Sequence, residues 1–105
     1  GAGDLGTHFP DRDPAYKDIS SLILLERIMK LVRDRGCQPV NVDATIVAQE
    51  PRLAPHIATM QARLAPILGL TPAEVNIKAT TTEHMGFAGR GEGIAAYAVV
   101  LVNKT

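Results

Sequence analysis

Residues 79 to 93, "ATTTEHMGFAGRGEG", gather three consecutive threonines, two carboxylates, a guanidinium and four glycines within fifteen positions. Hydroxyls and backbone amides freed at the end of a strand bind phosphate oxygens without bringing a full positive charge. Thr80, Thr81 and Thr82 offer that chemistry, although threonine is also simply a good strand residue. Glu83 beside a phosphate would repel it unless a hard cation such as Mg2+ lay between them; on its own it reads as an ordinary exposed glutamate. Gly86, Gly89, Gly91 and Gly93 permit tight turns and close backbone approach around Phe87 and Arg90. Arg90 has the forked donors that suit a phosphate and, equally, a neighbour in Glu92 for an ordinary ion pair. This stretch is neither a Walker loop nor a dinucleotide fingerprint, since it contains no G-K-[ST] and no G-x-G-x-x-G.

A second group of polar residues lies in the opening loop, where Asp4, Asp11 and Asp13 surround Phe9 and Pro10. Clustered aspartates bind metals or sugar hydroxyls, but in a Pro-rich loop they also make turns. His8, His56 and His84 are too scattered for a zinc spacing, and Cys37 has no partner motif.

The elements that must position these groups follow from periodicity. In "SLILLERIMKLVRDRG" the apolar positions Leu22, Leu25, Met29 and Val32 recur at helical spacing, with Asp18, Ser20 or Ser21 as the cap and Gly36 as the stop. "VNVDATIVAQ" alternates, which predicts a strand with Val40, Val42, Ala44 and Ile46 on one face. A second helix is predicted over roughly 53 to 68 from Leu53, Ile57, Met60, Leu64 and Ile67; Pro51 and Pro55 suit its entry, and Pro66 should kink or shorten its last turn. Thr71 and Glu74 are spaced as a capping box. "VNIKATT" predicts a strand with Val75, Ile77 and Ala79 inward. "GIAAYAVVLVNK" predicts another, apolar on nearly every position, as befits a strand covered on both sides. One of those covers could be a second subunit.

Composition narrows the function. Eleven basic against eleven acidic residues give no net charge, so no global field favours nucleic acid or an anionic membrane, and any phosphate binding must be local. With 46% hydrophobic residues in 105, one modest globular domain is expected. A single cysteine excludes an internal disulfide and fits a reducing compartment. No apolar run reaches the roughly 18 residues of a membrane-spanning helix, so the chain reads as soluble and intracellular. Opening on Gly1-Ala2-Gly3 and a loop-like run, it also reads as beginning partway through its gene product.

Taken in order, "GDLGTHFPDRDPAYK", "VNVDATIVAQEPRLAPHI", "VNIKATTTE" and "GFAGRGEGIAAYAV" resemble the 2-C-methyl-D-erythritol 2,4-cyclodiphosphate synthases, enzymes of the non-mevalonate isoprenoid pathway. "KATTTE" followed at this distance by "GRGEGI" is the most specific part, and the likeness runs over essentially the whole chain. It implies an α/β fold with a mixed β-sheet and helices layered on one face. It also implies a homotrimer with an active site at each subunit boundary, which would cover the apolar final strand. In such enzymes the 2-phosphate of 4-diphosphocytidyl-2-C-methyl-D-erythritol 2-phosphate attacks the β-phosphorus and CMP leaves. No enzyme nucleophile is needed, only positioning and neutralisation of two mutually repelling phosphates.

Carried over by matching position, the resemblance implies that Thr81 stabilises the transition state and that Thr80 and Thr82 belong to the same phosphate-binding segment. Glu83 resembles the carboxylate that holds Mg2+ or Mn2+ at the diphosphate, and Phe87 and Arg90 match substrate-pocket positions. Arg90 and Glu92 also match residues of the trimer's central cavity, where isoprenoid diphosphates have been proposed to bind. Ala48, Gln49, Glu50, Pro51, Arg52, Leu53 and Ala54 match a loop that reads cytosine largely through backbone groups; Glu50 and Arg52 stand where Ala and Lys are commoner. Asp4, Leu5 and Gly6, with Phe9, Pro10, Asp11, Arg12 and Asp13, match segments that hold the ribose and erythritol, Asp11 being the foremost contact to the sugar alcohol. His56 matches a structural position.

The family pattern also carries an Asp-X-His and further histidines that serve a catalytic Zn2+, and these are expected in about fifty residues upstream of this sequence. Residues 1–105 therefore read as a single domain, the C-terminal two-thirds of a synthase domain, expected to be inactive on its own. The resemblance implies a bacterial cytoplasm or plastid stroma, with no nucleic-acid or membrane partner. The competing readings are a non-catalytic cytidine-nucleotide or isoprenoid-phosphate binding module without the zinc site, and a small regulatory domain without phosphate chemistry.

Overall fold

The computed structural model describes residues 1–104. In chain order the elements are a four-residue helix α1 (Leu5–His8), α2 (Ser21–Asp34), β1 (Cys37–Val47), α3 (Ile57–Leu68), β2 (Val75–Thr80), the short α4 (Gly86–Gly89) and β3 (Ala95–Lys104). Single 3-10 turns at Pro14–Tyr16, Ala54–His56 and Pro72–Glu74 lead into α2, α3 and β2. Of the three candidate caps of α2, Ser20 does the work: its Oγ accepts from the Leu22 N–H at 3.3 Å, satisfying a donor that the first turn leaves orphaned. Asp18 instead takes a left-handed conformation.

The sheet order is β2-β1-β3, with β1 parallel to β2 and antiparallel to β3. The parallel pair needs a crossover, and α3 supplies it. Val42, Ala44 and Ile46 of β1 and Val75 and Ile77 of β2 face the helices, where they meet Leu25, Met29 and Val32 of α2 and Ile57, Met60, Leu64, Ala65 and Leu68 of α3. Val75 and Met29 are almost fully buried, so the core lies between one sheet face and two helices, as the alternation predicts. The opposite face carries Asp43, Asn76 and Lys78, in which the Asp43 carboxylate accepts from both neighbours. Those bonds, from Lys78 above all, hold its pKa below the ordinary value.

Several details depart from the periodicity. β1 starts at Cys37, and a bulge between Pro39 and Asn41 takes Val40 out of the inward set. Pro39 is tolerated because β2 pairs only from Val42 onward. Pro66 does not end α3, which continues to Leu68. Its end is secured otherwise: Gly69 adopts φ 70°, Arg33 donates to the Ile67 carbonyl at 3.2 Å and Gln38 to that of Leu68 at 3.0 Å. Pro55 sits in the turn before α3, whereas Pro51 lies in the preceding loop, after a cis Glu50–Pro51 bond. The Thr71–Glu74 pair does form: the Glu74 carboxylate accepts from the Thr71 N–H and hydroxyl, both at 2.9 Å.

β3 is the largest surprise in burial. Its apolar residues are exposed on both faces, with Tyr97 at 66% and Val99 at 74%, because α2 and α3 cover β1 and β2 but stop short of it. No helix among the described residues is long and apolar enough to cross a membrane.

Candidate active site

β1 and β2 end side by side, Val47 opposite Thr80, and the last backbone bond between them runs from the Ala48 N–H to the Thr80 carbonyl at 3.0 Å. Beyond this point both chains turn away from the sheet, leaving amides without ladder partners. The space outside the carboxyl ends of parallel strands is where such sheets commonly hold ligands. Here it is a cleft of about 620 Å³ lined by residues 48–54 on one side and by Ala79, Thr80, Thr81 and His84 on the other. Ala79 continues the inward face of Val75 and Ile77, as expected, but is exposed there and lines the cleft.

The corner after β2 is tight. Glu83 and His84 both adopt positive φ, 53° and 63°, a region that side chains with a Cβ enter at a cost of roughly 1–3 kcal/mol each. Four hydrogen bonds offset that cost. The Glu83 N–H donates to Thr81 Oγ1 at 3.3 Å, the His84 N–H to Gln49 Oε1 at 3.1 Å, the Met85 N–H to the Thr82 carbonyl at 3.0 Å, and the Thr82 hydroxyl to the Met85 carbonyl. The corner also needs Gly89 behind it. A Cβ there would lie 2.2 Å from the His84 carbonyl carbon and 2.7 Å from Thr82 Oγ1. Thus the glycines of the GFAGRG run have unequal tasks, and Gly89 is the one that close approach requires.

The structure brings together Ala48 to Ala54, Thr80 and Thr81. Thr82 and Glu83 follow directly, and among the described residues no side chain bonds to the Glu83 carboxylate. Phe87 is half-exposed, packed against Gly93. Arg90 makes a two-pronged pair with Glu92, at 2.7 and 3.2 Å, which raises its pKa; of its two possible partners, the ordinary ion pair is the one present in the lone protomer.

The opening segment does not line the cleft. Asp4 caps α1 by accepting from the Thr7 hydroxyl and N–H, which lower its pKa, and Asp13 caps the next turn by accepting from the Ala15 N–H at 3.0 Å. Leu5 and Phe9 flank a smaller hollow against Ile28, Leu31 and Val32 of α2, and Phe9 stacks edge-on to Tyr16 at 5.3 Å. Gly6, Pro10, Asp11 and Arg12 lie in the same surface segment. His84 is a cleft residue that sequence reasoning passed over. Its position directly after Thr-Thr-Thr-Glu is the available signal, and zinc spacing alone gives it no role. Among the described residues no group of three or more His, Cys, Asp or Glu side chains gathers closely enough to hold a metal.

The chain is similar to known proteins along nearly its whole length. The chain is 61% identical to the 2-C-methyl-D-erythritol 2,4-cyclodiphosphate synthase of Alkalilimnicola ehrlichii over 99% of its own length and 63% of that protein's. It spans under two thirds of the length of this and other curated relatives. Its fold superposes on the bifunctional IspDF of Campylobacter jejuni with a TM-score of 0.92 at 38% identity, covering 98% of this chain and 28% of that one. On a CDP-bound 2C-methyl-D-erythritol-2,4-cyclodiphosphate synthase the TM-score is 0.85 at 28% identity, covering 96% and 65%. The model of the YgbB family matches residues 1–103, and the chain belongs to that family.

Proposed function

We propose that this chain carries the nucleotide and phosphate side of a 2-C-methyl-D-erythritol 2,4-cyclodiphosphate synthase site. One observation carries the reading: the loop 48–54 and the threonines 80 and 81, separated by some thirty residues of chain, wall a single cleft at the ends of two parallel strands. In this reading backbone groups of Ala48 to Ala54 hold the cytosine, and Thr80 to Thr82 face the diphosphate. The Thr81 hydroxyl donates to the β-phosphoryl oxygen as charge gathers there, while the substrate's own 2-phosphate attacks and CMP departs. Preorganised donors of this kind lower the barrier because they need no reorientation as charge develops.

Glu83 fits a Mg2+ or Mn2+ ion at the diphosphate, because such ions take one or two carboxylates and fill their remaining positions with phosphate oxygens and water. When bound, the ion supplies charge neutralisation between the phosphates. The described residues do not fit a Zn2+ site; in this reading the zinc ligands belong to sequence outside these residues, and the chain by itself turns over no substrate.

Two features support a homotrimer with shared sites. β3 leaves Tyr97, Val99 and Leu101 exposed on one face and Val100 and Val102 on the other, and the 4–13 segment stands apart from its own cleft. In the proposed assembly Asp4, Phe9 and Asp11 of one protomer complete the sugar end of its neighbour's site. Arg90 and Glu92 face the shared cavity, with an isoprenoid diphosphate as its candidate ligand. The setting that goes with this reading is the bacterial cytoplasm or plastid stroma.

The test is a chimera in which these 105 residues replace the matching region of the Alkalilimnicola ehrlichii relative. CMP release is expected from the chimera with Zn2+ and Mg2+, and a loss of about 10²–10³ in kcat on Thr81→Ala. A folded chimera without turnover, or one indifferent to Thr81, contradicts the reading.

A further inference from the structure

We propose that Gln49 is a positioning residue: its side chain ties the base-side loop to the phosphate-side corner, so that one hydrogen bond keeps the two ends of the cleft in register. The bond runs from the His84 N–H to Gln49 Oε1 at 3.1 Å, between residues 35 apart in sequence. It lies just past the point where the β1–β2 ladder ends, at the Ala48–Thr80 bond, so it extends the link between the two walls after the backbone can no longer provide one. The corner it reaches is costly to hold, with two successive left-handed residues that both carry a Cβ. Gly89 supports that corner from behind, where the His84 backbone leaves no room for a side chain, and Gln49 restrains it from the cleft side. The remaining bonds of the corner are local, between residues 81 and 85. Without Gln49 the turn keeps its shape but loses its attachment to the opposite wall.

The chemistry of the amide suits the place. A neutral carbonyl oxygen accepts from the His84 N–H without adding a negative charge near Glu83 and the expected diphosphate, whereas a carboxylate there would repel both. Because His84 follows Glu83 directly, a shift of its amide moves the Glu83 carboxylate and the Thr81 hydroxyl that caps Glu83. The tie itself is geometric, while its consequence for ligands rests on the cytidine-diphosphate reading above.

Two measurements on the chain separate these. Amide hydrogen exchange of the ligand-free protein should show the His84 N–H exchanging about fivefold faster in Gln49→Met, which keeps the length and loses the acceptor. In Gln49→Glu, which keeps an acceptor oxygen, the rate should stay near that of the parent. Calorimetry should then show Gln49→Met weakening CDP by about fivefold while cytidine, which lacks the phosphates, changes by less than about twofold. Unchanged His84 exchange in Gln49→Met overturns the tie, and equal losses for cytidine and CDP overturn the positioning role by making Gln49 part of the base pocket alone. Failure of the parent chain to bind either ligand counts against the nucleotide reading, and the exchange result still decides the tie.

Discussion

Thr81 and His84 line the cleft at a corner where Glu83 and His84 take a disfavoured left-handed backbone, and Gly89 is the residue that makes the corner sterically possible. Gly89→Ala places a methyl group within 2.2 Å of the His84 backbone, with no flexible side chain to give way. The expected result is a loss of about 2 kcal/mol or more in urea unfolding, the cost of overpacking a closed site. Gly91→Ala, whose Cβ would meet nothing within 4 Å, costs only the strain of its own positive φ. Equal losses from the two would contradict the assignment of close approach to Gly89. From sequence alone four glycines looked interchangeable, because glycine spacing reports freedom of the backbone and not which neighbour crowds it. Thr80 and Thr81 were legible as hydroxyls at a strand end. His84 was not, because its contribution to the cleft wall depends on a left-handed turn that no residue type in the stretch announces.

At the scale of elements, the capping box before β2 lends itself to a pH test. The Thr71 N–H, and after it the Thr71 hydroxyl, lower the Glu74 pKa. A carboxylate whose pKa is depressed on folding stabilises the protein above its unfolded pKa, and that contribution disappears as pH falls through the lowered folded value. Glu74→Gln is therefore expected to melt below the parent at neutral pH, with the gap closing as the solution is acidified past the ordinary glutamate range. A gap that persists or widens in acid would contradict it. Helices and strands were readable because α2, α3 and β1 bury one stripe each, and stripes leave a period. The bulge at Val40 and the survival of α3 beyond Pro66 were not readable. Both depend on tertiary contacts: the pairing of Pro39 with β3, and the side chains of Arg33 and Gln38 that satisfy the carbonyls at the helix end.

For the whole molecule, β3 is the feature that a lone protomer leaves unexplained. An edge strand exposing Tyr97, Val99, Val100, Leu101 and Val102 is a site for association and a hazard if left bare. Under the trimer reading, sedimentation should give three protomers per particle, and the pair of changes Val99→Lys and Leu101→Lys should shift the particle toward monomer. A monodisperse monomer at tens of micromolar would count against shared sites, since interfaces of ordinary size have affinities of about micromolar or tighter. The strand itself was legible, but its lack of a polar face predicts two covers, and in the lone protomer both faces are exposed. That the helices would cover β1 and β2 only was set by their lengths and crossing, which periodicity does not report. The account stands or falls on what occupies the cleft at the ends of β1 and β2, and chemical-shift mapping of the labelled chain titrated with CDP in the presence of Mg2+ measures it directly. The account predicts shifts concentrated in the amides of residues 48–54 and 79–84. Shifts confined to the hollow between the opening segment and α2, or none at saturating CDP, would contradict it.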